Sequence, residues 1–216
     1  SEPGTFKRRI IMTEQKLFPF DQAKDIAVNI CYKLQPYCDK IHLAGSIRRL
    51  KPEVKDIEII CVPKTHNQVS KDLFGVKIVQ QARSVIPDFS RTVKSLGEIL
   101  SGNSGGNYMK ILLPSGIKLD LFMPKAEDYY RQYAIRTGSS DYTRKVIAAG
   151  WVRKGWCGSD QGLRKKKDCV EVTVAEGKKS FKCTNPKPEL PPVWQTEQEF
   201  FQWLGVAYIH PKLRNV

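Results

Sequence analysis

The segment LAGSIRRLKPEVKDIEIICVPK, residues 43–64, contains a glycine turn, two arginines and an apolar stretch that includes two acids. The run Val54–Val62 is typical of a β-strand, whose side chains alternate between the two faces of a sheet. Asp56 and Glu58 therefore project from one face, and Ile57 projects from the other. Two neighbouring carboxylates repel each other unless a cation or a shared proton relieves the repulsion. The segment therefore predicts a strand with a cation-binding or proton-sharing face.

A third acid, Asp120, lies in the apolar segment GIKLDLFMP. The turn Pro114-Ser115-Gly116 precedes it, which predicts a hairpin of residues 108–113 and 117–123. With this strand beside residues 54–62, the three carboxylates would converge. Such a hard, oxygen-only site suits Mg²⁺, with Mn²⁺ as a substitute, and two ions there can promote phosphoryl displacement. The competing interpretation for each acid alone is the solvated face of an edge strand.

The glycine turn ahead of the acids has the composition of a phosphate-binding site. Gly45 permits a close backbone approach, and the Ser46 hydroxyl and nearby amides can donate to phosphate oxygens. Arg48 and Arg49 add planar, permanently charged groups. We therefore expect the turn to bind a polyphosphate; a merely solvated arginine pair is the alternative.

Composition limits the class of partner. The chain has 216 residues, is 41% hydrophobic and carries a net charge of +14, which suits one compact core or two small ones. Residues 131–216 contain 16 Lys and Arg against 8 Asp and Glu. This excess indicates a polyanion, with nucleic acid first and an anionic membrane surface second. A basic surface that only confers solubility is the alternative.

The cysteines and histidines indicate no metal cluster. The six cysteines form no C-x-x-C pair, and no long apolar run occurs, which predicts reduced, structural cysteines in an intracellular protein without a membrane partner. The three histidines are too far apart in sequence for zinc-ligand spacing.

Periodicity and capping residues predict the helices. Apolar residues three and four apart predict a helix that begins at Asp21 and ends near Pro36. A second helix is expected over residues 70–86. Ser140 can cap a short helix that ends at Gly150, and Thr196 with Glu199 forms a capping box.

The ordered set GSIRR, DIE, KLDLF and RTGSSDY resembles the nucleotidyltransferase superfamily and, within it, the family X DNA polymerases of the polymerase beta type. The similarity runs from about residue 17 to the C-terminus, where TEQEFFQWLGVAYIHPKLR is similar to the closing helix and Pro-x-x-Arg segment of the family. The resemblance implies an α+β fold: a nucleotidyltransferase palm, with a mixed, mainly antiparallel sheet and helices, followed by a small C-terminal thumb. The expected divisions are an N-terminal arm or expression remnant at 1–11, the palm at 12–136 and the thumb at 137–216.

The resemblance also implies roles for individual residues. Asp56, Glu58 and Asp120 would be catalytic and hold two Mg²⁺ ions, and Asp120 would accept the proton of the primer 3′-hydroxyl. The substrates would be a nucleoside triphosphate and primer–template or gapped DNA, bound by a monomer. The expected nucleotide-binding residues are Gly45, Ser46, Arg49, Thr137, Gly138, Ser139, Asp141 and Tyr142. The expected DNA-binding residues are Arg144, Lys145, Arg164, Lys165, Lys166 and Lys167.

Three features depart from the family pattern. Glu58 stands where these polymerases usually have Asp. Ile135 and Arg136 replace an aromatic pair, which predicts weak exclusion of ribonucleotides. Only 44 residues precede Gly45, too few for the lyase and helix-hairpin-helix modules of many members, so that the chain is similar to minimal viral members.

The sequence thus predicts an intracellular, metal-dependent nucleotidyltransferase, a small template-directed DNA polymerase that acts at gaps or short primers in repair or replication. One alternative is template-independent nucleotidyl transfer to RNA ends, a small molecule or a protein. Another is a catalytically silent nucleic-acid-binding module, which the intact set of three acids disfavours.

Overall fold

The computed structural model describes residues 16–71 and 77–216 of the chain. The arm expected at residues 1–11 lies outside the described residues. Within the described residues, no helix has both the length and the apolar character needed to cross a membrane.

The N-terminal region, residues 16–128, is built mainly of strands. Its first helix carries Ala23, Ala27, Ile30 and Leu34 on the buried face, at the spacing that predicted it. The elements are β1 (Phe18–Pro19), α1 (Phe20–Leu34), β2 (Cys38–Leu43), α2 (Gly45–Arg48), β3 (Glu53–Val54), β4 (Asp56–Pro63), β5 (Thr65–Lys71), β6 (Lys77–Val85), α3 (Pro87–Lys94), β7 (Glu98–Gly102), β8 (Tyr108–Leu112) and β9 (Lys118–Phe122).

The main sheet of this region has five strands in the order β2-β4-β9-β8-β7. The two acidic strands, β4 and β9, are parallel neighbours, and the other pairs are antiparallel. The sheet is therefore mixed and mainly antiparallel, as expected. The predicted hairpin is also confirmed, because β8 pairs with β9 through the turn at residues 113–117.

The helix predicted over residues 70–86 is wrong. Residues 77–85 form β6, which pairs antiparallel with β5, and residues 72–76 lie outside the described residues. Apolar residues in a short segment fit the repeat of a helix as well as that of a strand. Pairing with a partner strand supplies backbone hydrogen bonds, which here outweigh the local helix propensity.

The C-terminal region, residues 129–216, combines helices with a four-stranded sheet of order β11-β10-β13-β12. Ser139 rather than Ser140 caps its second helix, since the Ser139 hydroxyl accepts from the Tyr142 amide at 3.2 Å. The elements are α4 (Tyr129–Thr137), α5 (Ser140–Tyr142), a π-helical segment (Thr143–Ala148), α6 (Ala149–Arg153), β10 (Trp156–Ser159), β11 (Gly162–Lys165), β12 (Cys169–Thr173), β13 (Lys179–Cys183) and α7 (Glu197–Leu204). Single 3₁₀ turns lie at Gln35–Tyr37, Ala126–Asp128, Lys166–Asp168, Ala175–Gly177 and Pro211–Leu213.

The predicted capping box of α7 is confirmed in its main bond. The Thr196 hydroxyl accepts from the Glu199 amide at 3.1 Å, and the Glu199 carboxylate accepts from the Gln195 amide at 2.7 Å. These two bonds satisfy backbone donors at the start of the helix. They stabilise the start of α7, where Glu197 contacts Arg48 of the N-terminal region.

Each region has its own hydrophobic core. In the N-terminal region, α1 and α3 cover the sheet face that carries Ile57 and Ile59. In the C-terminal region, Trp151, Phe200 and Phe201 belong to a cluster rich in aromatic side chains. The predicted division at residues 136 and 137 falls at the end of α4 and stays a prediction.

Candidate active site

The three predicted acids lie on adjacent strands of the main sheet. Glu58 in β4 is directly opposite Asp120 in β9, and Asp56 precedes Glu58 by one strand repeat on the same face. Asp120 is 8% exposed, and Asp56 and Glu58 are half-buried. Parallel pairing therefore brings together the three carboxylates that the sequence singled out.

Their electrostatics are those of like charges held close together. Burial first, and then Asp56 and Asp120, raise the pKa of the Glu58 carboxyl to about 7, while Arg49 and Arg136 oppose the rise. Burial and the Asp120 charge also raise the pKa of Asp56. Burial and the neighbouring acids thus favour the protonated form of Glu58, and a cation bound beside it would favour the charged form.

Two neighbours of Asp120 were not identified from the sequence. The Tyr108 hydroxyl donates to Asp120 Oδ1 at 2.5 Å, and Lys110 Nζ lies 3.3 Å from the same oxygen. Both residues are in β8, where Lys110 is directly opposite Asp120. The hairpin register, counted outward from the turn, could have located them.

The acids fit a hard divalent cation by donor type and by position in the sheet. Across residues 16–71 and 77–216, no three His, Cys, Asp or Glu side chains already surround a cation-sized position. Lys110 and the Tyr108 hydroxyl instead engage the Asp120 carboxylate. The site is therefore a set of adjacent hard donors rather than a preformed coordination shell.

The glycine turn is fixed directly against the acids. The Ala44 amide donates to the Glu58 carbonyl at 2.9 Å. Gly45 has φ +59°, and a Cβ atom there would lie 1.6 Å from Glu58 Oε2. Glycine is therefore required both for the backbone conformation and for the space that the Glu58 carboxylate occupies. Ser46 is half-buried in the four-residue helix α2 that follows.

The two arginines of the turn have different surroundings. Arg48 donates to both carboxylate oxygens of Glu197 in α7, at 3.0 and 2.7 Å, and to Thr137 Oγ1 at 2.6 Å. Glu197 also accepts from the fully buried Arg214 at 2.8 Å. Arg48 is therefore part of a buried ion network between the two regions, and its guanidinium is engaged there rather than free for a polyphosphate.

Arg49 lies closer to the acids. Its Nε donates to Asn215 Oδ1 at 2.8 Å, and its Nη1 donates to the Thr137 carbonyl. Arg49 also lowers the pKa of Glu58, against the effect of burial. The predicted triphosphate residue thus lies between the acids and the Thr137-Gly138-Ser139 segment.

That segment links the C-terminal region to the turn. Thr137 is fully buried, and a Cβ atom at Gly138, where φ is +70°, would lie 2.9 Å from Arg49 Nη1. The Ser139 hydroxyl donates to the Val216 carbonyl at 2.7 Å. The positive φ explains why glycine is favoured at position 138, and Arg49 lies close enough that a side chain there would have to displace it.

The remaining predicted nucleotide and DNA residues differ in exposure. Tyr142 is buried and stacks on Phe201 at 6.5 Å, within the C-terminal core. Asp141 pairs with Arg144 at 3.0 Å and with Lys145 at 3.5 Å, and these three side chains are exposed or partly exposed. Their contacts with substrate stay predictions.

The basic run at residues 164–167 is also divided. Arg164 donates to the Leu163 carbonyl at 2.8 Å, and Lys165 lies 3.5 Å from Glu189. Lys166 and Lys167, by contrast, are exposed. The last two lysines are therefore the better placed for a phosphate backbone.

The residues that replace the aromatic pair point in different directions. Arg136 lies over the Phe122 ring at 4.2 Å and lowers the pKa of Glu58, so that it faces the acids. Its Nε is buried and has no hydrogen-bond partner among the described residues. Ile135 packs against the C-terminal core.

A comparison with protein families matches the C-terminal region. Residues 133–215 match the family model of the DNA polymerase beta thumb. The match supports the resemblance of the chain to the family X DNA polymerases. No curated protein matches it. The thumb match indicates DNA binding and nucleotidyl transfer of the DNA polymerase type in general.

Proposed function

We propose that the chain transfers a nucleotide from a (deoxy)nucleoside triphosphate to a primer 3′-hydroxyl, in template-directed synthesis at short gaps during DNA repair or replication. The observation that carries the proposal is the pairing of Glu58 with Asp120 in adjacent parallel strands beside Asp56. The thumb match supports a polynucleotide as the acceptor. In this proposal the N-terminal region is a nucleotidyltransferase palm.

Asp56, Glu58 and Asp120 would hold two Mg²⁺ ions, or Mn²⁺ as a substitute. The ions, when bound, would supply Lewis acidity and neutralise charge on the phosphates. The Asp120 carboxylate would accept the proton of the primer hydroxyl, and for this its contacts with Tyr108 and Lys110 must loosen. The acids on β4 and β9 have backbones fixed by the sheet, which supports precise orientation.

The triphosphate would lie along the Gly45 turn. Ser46 and Arg49 would contact its oxygens, and Thr137, Gly138 and Ser139 would lie under the sugar and base. Asp141 and Tyr142 would act near the nascent base pair. The contacts of Arg49 with Thr137 and Asn215 couple this turn to the C-terminal region. Nucleotide binding would therefore be sensitive to the position of the thumb.

DNA would follow the basic surface that carries Arg144, Lys145 and the run Arg164–Lys167. We propose that the chain acts as a monomer. The cysteines, all free, support an intracellular location. Template-independent transfer to RNA ends, a small molecule or a protein is the second candidate, because the three acids by themselves do not require a template.

Primer extension tests the proposal. A labelled primer is extended with one nucleotide at a time, with and without a template strand, in Mg²⁺ and after chelation by EDTA. Addition of only the templated nucleotide, lost in EDTA, is expected. Addition without a template would favour the second candidate, and no addition to any acceptor would contradict nucleotidyl transfer. Matched ribo- and deoxyribonucleotides compared in the same assay measure the sugar selectivity, expected to be about 10²-fold or less.

A further inference from the structure

Three cysteines of the C-terminal region lie together, outside the candidate active site. Cys169 in β12 is directly opposite Cys183 in β13, and Cys157 belongs to β10 of the same sheet. Cys157 and Cys183 are 3% and 5% exposed, whereas Cys169 is half-buried. Cys169 is therefore the thiol of this group that a dissolved reagent reaches first.

The backbone bonds define the geometry of the opposed pair. The Cys183 amide donates to Asp160 Oδ1 at 2.9 Å, and the Thr184 amide donates to the Asp168 carbonyl at 2.9 Å. Cys169 and Cys183 therefore form a non-hydrogen-bonded pair of the antiparallel ladder. In such pairs the Cα atoms are about 4.5 Å apart and the side chains are close, within the range that a disulfide requires.

The thiol groups also influence one another electrostatically. Burial first, and then hydrogen bonds with Cys157 and Cys183, raise the pKa of the Cys169 thiol to about 12. Because the thiolate is the reactive form, the thiols persist at neutral pH and react slowly. The pair is thus compatible with the free cysteines observed here and with slow oxidation.

A second group of cysteines in the N-terminal region has a different geometry. Cys38 and Cys61 also contact each other, but Cys38 is opposite Pro63 and Cys61 is opposite Ile41. Cys61 is fully buried and Cys38 is 8% exposed. Neither the strand register nor the access favours a disulfide there, which makes this pair an internal control.

We propose that Cys169 and Cys183 form a site of reversible thiol oxidation, at which a low-molecular-weight disulfide such as oxidised glutathione converts the dithiol into a cross-strand disulfide. The Cys169 thiolate attacks one glutathione sulfur, breaks its S–S bond and releases one glutathione. The Cys183 thiolate then attacks the Cys169 sulfur and releases the second glutathione. The protein loses two electrons, oxidised glutathione gains them, and the two thiol protons end on the released glutathiones.

The bond would tie β12 to β13 and close the loop between them. A disulfide between Cys169 and Cys183 restricts the unfolded chain, so we expect the melting temperature to rise by roughly 5 °C. Reduction with dithiothreitol should reverse the rise. The candidate active site contains neither cysteine. This inference therefore does not depend on the proposed polymerase activity.

The test uses the purified full chain, incubated for hours with oxidised glutathione, alkylated and mapped by mass spectrometry. The expected result is a peptide cross-linked between Cys169 and Cys183, with the other four cysteines alkylated. Cys183→Ser should accumulate glutathione on Cys169, and both Cys183→Ser and the less buried Cys169→Ser should lose the rise in melting temperature. Cys38→Ala should retain both the cross-link and the rise.

Three results would overturn the proposal. One is alkylation of all six cysteines after the incubation. Another is a dominant bond that involves Cys157, and the third is a bond between Cys38 and Cys61 in place of the expected one. Each of these products has a distinct mass in the peptide map.

Discussion

Glu58 and Glu197 are both carboxylates withdrawn from water, and they have opposite electrostatics. Glu58 lies beside two other acids, and burial with their charges raises its pKa to about 7. Glu197 is 4% exposed, and burial acts on it in the same direction. Its bonds to Arg48 and Arg214 outweigh burial, however, and lower its pKa. Burial raises the pKa of both carboxylates, and the two arginines beside Glu197 reverse that effect there.

This difference distinguishes a carboxylate of the candidate active site from a carboxylate that stabilises the fold. An acid cluster without enough counter-charge destabilises the free protein, which is expected where a cation or substrate binds. A buried acid between two arginines has its own charge fully compensated. Substitutions in the two places should therefore affect different measurements.

The largest effect is expected from Asp120→Ala. Loss of a group that acts mainly in the transition state should lower nucleotide addition by about 10³-fold or more, with DNA affinity nearly unchanged. Steady-state primer extension and a DNA-binding titration measure the two quantities. Substantial residual addition by the folded variant would remove Asp120 from the chemistry.

Glu197→Ala should act mainly on stability. It leaves Arg214, which is fully buried, without its carboxylate, and removal of one partner of a buried ion pair costs about 3–5 kcal/mol. Denaturant unfolding gives the change in the free energy of unfolding. Glu199→Ala on the same helix is the matched control and should cost about 0.5–1.5 kcal/mol, because it removes one hydrogen bond to the Gln195 amide. Equal losses in the two variants would contradict a special role for the network.

A smaller effect is expected in the pH dependence of stability. The pKa of Glu58 is raised in the folded protein. Its contribution to the free energy of unfolding is therefore fully present below about pH 4.5 and is lost as the pH rises through about 7. In metal-free buffer, the free energy of unfolding should fall with rising pH by up to about 3 kcal/mol less in Glu58→Gln than in the unsubstituted protein. Urea unfolding at pH 4.5 and pH 8 measures it. Mg²⁺ should stabilise the unsubstituted protein at pH 8 and leave Glu58→Gln less affected; the same Mg²⁺ effect on both would argue against Glu58 as a ligand.

The smallest effect concerns charges on the surface. Lys166→Ala and Lys167→Ala should each reduce the slope of log affinity for DNA against log salt by about 0.9. Lys165→Ala is the control, because Lys165 is already paired with Glu189 and should change the slope less. Binding titrations at several salt concentrations distinguish them. A slope near zero in the unsubstituted protein would exclude DNA as the partner of this run.

The sequence predicted the features that depend on local pattern. Alternation located β4 with Asp56 and Glu58, and the Pro114-Ser115-Gly116 turn predicted the hairpin that carries Asp120. Apolar spacing located α1, and the Thr196 and Glu199 pair located α7. In each case the structural preference comes from residues within a few positions of one another, so that one chain segment suffices to detect it.

Only the tertiary structure decided the features that depend on distant partners. Residues 77–85 form a strand because residues 65–71 pair with them. Arg48 is part of a structural network because Glu197, far along the chain, reaches it, whereas its neighbour Arg49 faces the acids. The sequence by itself determined which residues are acidic, basic or apolar on each element. The packing of distant segments decides which charges meet. It therefore decides that the pKa of Glu197 is lowered and that of Glu58 is raised.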